Sequence, residues 1–366
     1  MATDDFTIYS KPDYFASLLK RISTCKKGDR IAIATMDFNA DNPAVQEVVE
    51  ALCQAAASGA SVLLLVDSFI FLTSGKLGSI GPMWFAANAK GKQWPLYRRR
   101  LEALQRLEAA GGQYVVTNPP GKRFSKPFIG RSHMKFAVIN DYVMVGGCNL
   151  TNPQLIDMMI GWRDAHTANT LYGLATGAAH RPTIRTLLHD RDQSHLIDTK
   201  TNVLIDAGRP KQSIILDQAL QLIDNAQKWL VITCQFFPGG LTGKHLIAAR
   251  ERGVTVTVVF THPNRHWEPG GPLGVAAQHL NVWRERTRVP RALFAHGLSS
   301  HEPFVHAKVI ATEQGAIIGS HNYVQAGVLF GTAEIALARY DPAFARAAIA
   351  SLQKQHTRFP AHFDKP

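Results

Sequence analysis

Two stretches of the chain share one pattern: SHMK at 132–135 leads to GGCN at 146–149, and VHAK at 305–308 leads to GSHN at 319–322. An apolar segment separates the two parts of each stretch. The spacing from His to Asn is 16 residues in both copies, from 133 to 149 and from 306 to 322. Because His, Lys and Asn recur in one register, the chain is expected to contain two copies of one half-site.

Each motif places polar side chains on an otherwise apolar strand. Residues two apart on a strand project from one face, so His133 is expected beside Lys135, and His306 beside Lys308. The apolar segments that follow predict a hairpin, which brings Asn149 back beside His133. A Lys cation and an Asn amide flanking a His are suited to holding a phosphate group around a nucleophile.

Two such half-sites facing each other predict phosphodiester chemistry. One imidazole attacks phosphorus as a nucleophile, and the other, when protonated, donates its proton to the leaving oxygen. The two lysines and the two asparagine amides offset the charge that develops on the phosphoryl oxygens. This scheme requires no metal ion and no cofactor.

The segments around the two motifs repeat one order of elements. Apolar patterns predict a strand, a helix and a second strand in each half, at 30–38, 43–57 and 61–66 and at 229–237, 241–252 and 254–260. A duplication of such long period indicates two similar units, not a solenoid. We therefore predict an α/β fold of two similar lobes with mixed sheets, related by a pseudo-twofold axis and sharing one active site. The predicted lobes are residues 1–195 and 196–366, with the linker within 191–211.

The composition is that of a soluble globular protein. Of the 366 residues, 46% are hydrophobic and 19% are charged, which excludes a disordered chain. No apolar run reaches about 18 residues, and the N-terminus lacks the pattern of a signal peptide. The four cysteines show no short metal-binding spacing. We expect a cytoplasmic monomer without disulfides, an internal pseudo-dimer, with peripheral attachment to a membrane as an alternative.

The formal net charge of +12 favours an anionic partner. A phospholipid substrate on an anionic membrane surface satisfies this charge, and so does a nucleic acid. Two unlike insertions, at 68–95 and 262–297, precede the His-x-Lys strands and are expected to rim the cleft. The first contains Met83-Trp84-Phe85, which predicts either a loop that enters lipid headgroups or a lid over the cleft.

The duplicated pattern resembles the signature of the phospholipase D superfamily. That signature is His-x-Lys, four residues, Asp, and then a Gly-Gly/Ser-x-Asn element, usually present twice in one chain. The resemblance covers nearly the whole chain, because the order of strands and helices in both halves also fits. The acid five residues after each Lys is absent, since Asn140 and Glu313 stand there. In the family that acid is mainly structural, so the departure concerns local salt bridges.

The resemblance implies roles for the motif residues. The nucleophile corresponds to His133 and the general acid to His306. Cys148 is matched with the Ser of the second copy. The residues that correspond to phosphate binding are Lys135, Lys308, Asn149, Asn322 and Ser320.

The family also places an acid after each Asn, where it orients a His through the second ring nitrogen. Glu334, 12 residues after Asn322, fits this role in the second half. In the first half, Gly161-Trp162-Arg163-Asp164 offers Asp164, and this element resembles the cardiolipin synthase branch. Asp157 is an alternative, and the sequence leaves open which acid holds which His.

These observations predict an enzyme and leave three hypotheses about its substrate. The first is phospholipase D-type hydrolysis or phosphatidyl transfer on phospholipids, like cardiolipin synthase, through a phosphohistidine intermediate. The second is a metal-independent nuclease of the same superfamily. The third is an inactive module that binds lipid or nucleic acid, against which the two intact sets of His, Lys and Asn argue.

Overall fold

The computed structural model describes residues 6–68, 95–118, 131–180, 191–261 and 305–356. The two predicted insertions lie almost wholly outside these described residues, as does Met83-Trp84-Phe85. Within the described ranges, no helix is long and apolar enough to cross a membrane.

The first half forms a mixed sheet of seven strands, in the order β1-β7-β6-β5-β2-β3-β4. Strands β2, β3 and β4 pair in parallel, and the other neighbours pair antiparallel. The strands are β1 (Thr7–Ser10), β2 (Arg30–Thr35), β3 (Ser61–Asp67), β4 (Gln113–Thr117), β5 (Phe136–Ile139), β6 (Tyr142–Gly146) and β7 (Met158–Arg163).

The second half forms another mixed sheet of seven strands, in the order β11-β10-β12-β13-β14-β9-β8. Only the pair β10 and β11 is parallel in its described part. The strands are β8 (Gln193–Asp198), β9 (Thr201–Ala207), β10 (Trp229–Cys234), β11 (Thr255–Phe260), β12 (Lys308–Thr312), β13 (Gly315–Gly319) and β14 (Ala333–Arg339).

The two sheets match strand for strand over most of their width. The order β1-β7-β6-β5-β2-β3 in one corresponds to β9-β14-β13-β12-β10-β11 in the other, with the same parallel and antiparallel pairs. Among the described strands, each sheet adds one more at the opposite edge, β4 in the first and β8 in the second. The predicted α/β fold of two similar lobes with mixed sheets is therefore confirmed.

The helices begin where the sequence supplies N-terminal caps. Ser10, Asn42, Ser213 and Asp341 each accept a hydrogen bond from a backbone N–H of the first turn that follows. The helices are α1 (Lys11–Ile22), α2 (Pro43–Ala57), α3 (Pro95–Ala109), α4 (Ala165–His180), α5 (Ile214–Asn225), α6 (Gly240–Glu251), α7 (Gln325–Phe330) and α8 (Pro342–Gln355).

These elements stack in five layers around three apolar cores. One outer core joins α1, α2 and α3 to the first sheet, and the other joins α5 and α6 to the second sheet. The middle core contains the facing sides of both sheets together with α4 and α8. Along β2, Ile31 and Ile33 enter an outer core, whereas Ala32 and Ala34 enter the middle one. Burial on both faces explains why the central strands are continuous apolar runs.

The predicted boundary between residues 195 and 196 is corrected by the structure. It falls inside β8, and the whole of β8 pairs with β9 in the second sheet. The division between the sheets therefore precedes Gln193. Exposed and half-buried residues alternate along β8, which is an edge strand, so it lacks the apolar run that marks the central strands.

Candidate active site

The two motif histidines lie where the sheets meet, at the start of β5 and of β12. Backbone N–H groups of His133 and His306 donate to the carbonyl oxygens of Ala333 and Ile156, each at 2.8 Å. The two contacts follow one pattern, because the backbone of each motif His is hydrogen-bonded to the residue that precedes an acid in the other lobe. The backbone thus places both half-sites at a single junction, with the pseudo-twofold relation that was predicted.

Each histidine is paired with a carboxylate from the opposite lobe. Nδ1 of His133 lies 2.8 and 2.9 Å from the two carboxylate oxygens of Glu334. Nδ1 of His306 lies 2.7 Å from Oδ2 of Asp157. Both carboxylates are buried, so each pair is shielded from solvent. The pairs cross the junction, which means that neither lobe carries a complete His–carboxylate pair of its own.

The prediction that Asp164 orients a histidine is wrong, and the alternative, Asp157, takes that position. Oδ2 of Asp164 accepts a hydrogen bond of 2.7 Å from the backbone N–H of Thr167, so it caps the start of α4. Glu334 contacts a histidine, and the structure shows that this histidine is His133, a choice that the sequence left open.

The strand register shows why the sequence was misleading about these acids. Gly146 pairs with Met159, and Gly319 pairs with Ala336. Two steps further, the same register sets Asp157 and Glu334 at equivalent positions. The spacing from Asn to acid is 8 residues in the first half and 12 in the second, because only the second half contains α7 between them.

The hydroxyl of Ser320 contacts Glu334. The Ser320 side chain is fully buried, its hydroxyl donates to Glu334, and it accepts a 3.0 Å hydrogen bond from the backbone N–H of Ile335. The counterpart of Ser320, counted back from each Asn, is Gly147 and not Cys148. A Cβ at Gly147 would overlap Oδ1 of Asp157, so only glycine fits there.

The two motif lysines are buried beneath the histidines. Nζ of Lys135 donates to the carbonyl oxygen of His133 at 2.7 Å, and Nζ of Lys308 donates to that of His306. Burial lowers the pKa of Lys135 to about 7 and that of Lys308 to about 8, although Glu334 and Asp157 oppose the shift. Their charges are thus held in a dry site, where an anion would stabilise them.

The two motif asparagines differ in how they are held. Oδ1 of Asn149 accepts from the backbone N–H of Asp37 at 3.2 Å and from the Thr35 hydroxyl at 3.4 Å. Oδ1 of Asn322 is buried and has no hydrogen-bond partner in the described part of the chain. A buried polar atom without a partner is rare in folded proteins and is typical of a site that receives a ligand.

The electrostatics favour neutral imidazoles and ionised carboxylates. Burial lowers the pKa of His133 to about 4 and that of His306 to about 3, and both lysines add to this effect. Burial alone would raise the pKa of Asp157 and of Glu334, but the facing histidines and lysines lower both. Each neutral imidazole then donates its Nδ1 hydrogen to a carboxylate, which leaves the reactive lone pair on Nε2.

Two buried charged residues that the sequence analysis did not single out make the half-sites unequal. In the first sheet Ser10 pairs with Met158, so the next residue, Lys11, lies beside Asp157. In the second sheet Ile205 pairs with Ile335, so the next residue, Asp206, lies beside Glu334. Lys11 and Asp206 therefore occupy equivalent positions. Lys11 is fully buried and its Nζ donates to the hydroxyl of Thr151 at 2.9 Å. The sequence carried little signal for it, because a Lys in the first turn of an amphipathic helix usually faces solvent.

Asp206 differs from Lys11 in charge and in partners. It accepts hydrogen bonds from the Ser213 hydroxyl at 2.6 Å and from the backbone N–H of Ile215 at 3.1 Å. Burial raises the pKa of Asp206 well above its usual value, and the neighbouring Glu334 adds to the effect. The site therefore has a buried Lys beside one His–carboxylate pair and a buried Asp with a raised pKa beside the other.

The described residues contain no group of three or more His, Cys, Asp or Glu side chains placed to hold a metal ion. The polar groups that converge on the junction are instead two imidazoles, two ammonium groups and two amides. Such an arrangement can bind a phosphoryl group between two nitrogen bases.

A sequence profile for the family described as cardiolipin synthase, PLD-like domain, matches residues 18–159 and 219–355. The two matched segments cover most of the chain and coincide with the two lobes. The protein therefore belongs to this phospholipase D-like family, whose members include phosphatidyltransferases and phosphodiesterases. No curated protein sequence matches the chain.

Two solved structures that resemble the chain, the first two below, share its fold at low sequence identity. Phosphatidylserine synthase from Haemophilus influenzae is 15% identical with a TM-score of 0.66, over 99% of this chain and 87% of that one. Polyphosphate kinase from Porphyromonas gingivalis is 15% identical with a TM-score of 0.56, over 96% of this chain and 46% of that one. Nuc, a phospholipase D family member from Salmonella typhimurium, is 21% identical with a TM-score of 0.31, over 43% of this chain and 96% of that one.

The pairing of His306 with Asp157 can be tested without any substrate. Asp157→Asn is expected to change the tautomer of His306, because an amide no longer requires a proton on Nδ1. Long-range nitrogen–proton NMR of the imidazole rings measures this directly. The matched control is Asp164→Asn, which keeps a good helix cap and should leave both rings unchanged. A His306 tautomer that responds to Asp164→Asn instead would refute the pairing.

Burial of the lysines predicts an unusual dependence of stability on pH. The pKa of Lys135 is lower in the folded chain than the roughly 10.4 of an unfolded one, so between pH 7 and 10 the unfolded chain binds more protons and stability rises with pH. Lys135→Met should remove about 2 kcal/mol of the gain in unfolding free energy between pH 7 and 9. Urea unfolding at both pH values measures it, with the exposed Lys244→Met as control. Equal gains in all three proteins would contradict a lowered pKa.

Proposed function

We propose that this protein is a phospholipase D-type enzyme that acts on phospholipids, by hydrolysis or by phosphatidyl transfer as in cardiolipin synthases, through a phosphohistidine intermediate. The observation that carries the proposal is the pair of crossed contacts, His133 with Glu334 and His306 with Asp157. Each contact holds an imidazole in the tautomer whose Nε2 can act on a phosphorus or on a leaving oxygen. The fully buried Lys135 and Lys308 complete the arrangement.

In the first step, Nε2 of His133 attacks the phosphorus and the bond to the leaving oxygen breaks. The new phosphoimidazole carries a positive charge, which the Glu334 carboxylate offsets. His306 donates a proton to the leaving oxygen, so the departing group leaves as an alcohol. The bound phosphodiester is itself an anion, and its charge raises the pKa of His306 so that this ring can take up the proton.

In the second step, the acceptor hydroxyl replaces the departed alcohol. His306 removes the proton of the acceptor while its oxygen attacks phosphorus, and the phosphorus–nitrogen bond to His133 breaks. Water as the acceptor gives hydrolysis, and a lipid or other alcohol gives phosphatidyl transfer. Lys135 and Lys308, together with Asn149 and the unpaired amide oxygen of Asn322, hold the phosphoryl and acceptor groups between the rings.

The neighbours of the two acids support this division of roles. Lys11 offsets the charge of Asp157, whereas the residue in the equivalent position beside Glu334 is an acid, Asp206. A positive charge is therefore better stabilised on the ring paired with Glu334, which favours nucleophilic attack by His133. His306, with its more strongly lowered pKa, is the stronger acid once protonated.

The choice of a phospholipid substrate rests on the family and on the charge. The family is described by its cardiolipin synthase members, and a structural neighbour is a phosphatidylserine synthase. The net charge of +12 suits an anionic lipid surface. The same charge also suits nucleic acid, so a metal-independent nuclease is the second candidate. An inactive binding module would not require two crossed His–carboxylate pairs.

The substrate class is tested by incubating the purified protein, with EDTA present, with phosphatidylglycerol vesicles and separately with single- and double-stranded DNA. We expect turnover of lipid, and its loss by at least a factor of about 10³ in His133→Ala, because the nucleophile is absent. The exposed His180→Ala is the matched control and should retain full activity. Cleavage of DNA alone would establish the nuclease, and inactivity on both substrates would favour the binding module.

The roles of the two histidines are tested by acid-quenching the enzyme during turnover and locating the phosphatidyl group by peptide mass spectrometry. We expect it on His133. The Lys11→Met variant removes the cation beside Asp157. The negative charge of Asp157 then acts more strongly on His306 and should raise the pKa of that ring, as measured by NMR titration. Lys11→Arg should preserve the wild-type value. A phosphatidyl group found on His306 in the wild type would reverse the assignment.

A further inference from the structure

In the described part of the second lobe, large apolar side chains are exposed on two neighbouring helices, α6 and α7. Four large hydrophobic side chains are exposed in the described residues, and three of them are Leu241, Leu329 and Phe330, exposed by 38%, 45% and 44%. Leu329 and Phe330 end α7, and Leu241 lies in the first turn of α6. We call these three residues the apolar tip. The fourth, Leu196, lies on the edge strand β8.

The helices that carry the apolar tip are fastened to each other. The hydroxyl of Thr242 donates to the carbonyl oxygen of Tyr323 at 2.7 Å, and Gly240 packs against the side chain of Gln325. Gly331 ends α7 with a φ of 71°, and a Cβ there would overlap the carbonyl oxygen of Gly208. The tip is therefore presented on a backbone that is held at both ends of α7.

Basic side chains surround the apolar tip. Lys244 is exposed on α6, one turn after Leu241. Arg209 and Lys211 are exposed on the segment that contacts α7, where the backbone N–H of Lys211 donates to the carbonyl oxygen of Val328 at 2.7 Å. Asp192, an acid near this segment, accepts from two backbone N–H groups, those of Ala207 and Ile214. The rim of the patch is thus complementary to an anionic surface.

The position of the patch connects it with the active site. Helix α7 occupies the chain between Asn322 and Glu334, both of which belong to the site. The equivalent chain of the first lobe, between Asn149 and Asp157, is four residues shorter and contains no helix. The patch is therefore a feature of one lobe only, placed at the rim of a site that both lobes share.

We propose that the apolar tip and its basic rim, formed by Arg209, Lys211 and Lys244, dock the protein on an anionic phospholipid bilayer. Two leucines and a phenylalanine enter the boundary between headgroups and acyl chains, while the three cations contact lipid phosphates. The proposal rests on the lipid substrate class of the proposed function, which it extends by naming the surface that meets the membrane. Binding through so few side chains is peripheral, reversible and weakened by salt.

Flotation with vesicles tests the surface without any turnover, when each protein also carries His133→Ala. We expect binding to vesicles that contain phosphatidylglycerol, and much weaker binding to phosphatidylcholine alone. The double variant Leu329→Ser/Phe330→Ser should lower the bound fraction at least tenfold. The matched control, Leu196→Ser, removes an exposed leucine far from the tip and should bind like the parent. Equal binding by the double variant and the parent, or equal loss in the control, would overturn the proposal.

A second measurement separates this surface from the proposed function. With His133 intact, the double variant should turn over a short-chain phosphatidylglycerol at the wild-type rate when the lipid is below its critical micelle concentration. Its activity should be lost only when the lipid is presented in vesicles. Loss of activity on the monomeric lipid would contradict a role limited to docking. If the wild type floats through the apolar tip but turns over no phospholipid, the docking surface stands and the proposed function fails.

Discussion

The structure depends on two backbone contacts between the sheets, where the N–H groups of His133 and His306 donate to the residues that precede Glu334 and Asp157. These contacts fix each His against the acid of the other lobe. Because neither lobe holds a complete pair, the reactive site exists only when both lobes are docked. The shared middle core, formed by both sheets with α4 and α8, supplies the apolar burial that keeps them docked.

The site concentrates charge where water is scarce. The ammonium groups of Lys135 and Lys308 and the carboxylates of Asp157 and Glu334 are all buried, which is unfavourable unless each charge has a partner. The crossed contacts pair the carboxylates with histidines, and the lysines donate to the backbone carbonyl oxygens of His133 and His306, yet burial keeps the pKa values of both lysines lowered. This cost of burial is the reason that an anionic phosphodiester is expected to bind there, since its charge stabilises the buried ammonium groups.

Much of the fold could be predicted because the central strands are buried on both faces and read as apolar runs. The boundary at residue 195 failed because β8 is an edge strand without such a run. In the site, the motif spacing singled out His133, His306 and both lysines, and the structure brings them to one junction. The sequence led to the wrong prediction for Asp164, because an acid that caps a helix cannot be distinguished by sequence from an acid that contacts a His at the junction. The contact between the Ser320 hydroxyl and Glu334 could not be read from the sequence.

By itself the sequence determined that the chain is a duplication with two His, Lys and Asn sets, since spacing along a strand sets which side chains share a face. Only the tertiary structure decided which acid meets which histidine, because that depends on the register between strands and on contacts between lobes. It also decided that Lys11 and Asp206 stand beside the two acids, and that α7 presents an apolar tip at one rim. Those features depend on how distant segments pack, and no local pattern encodes them.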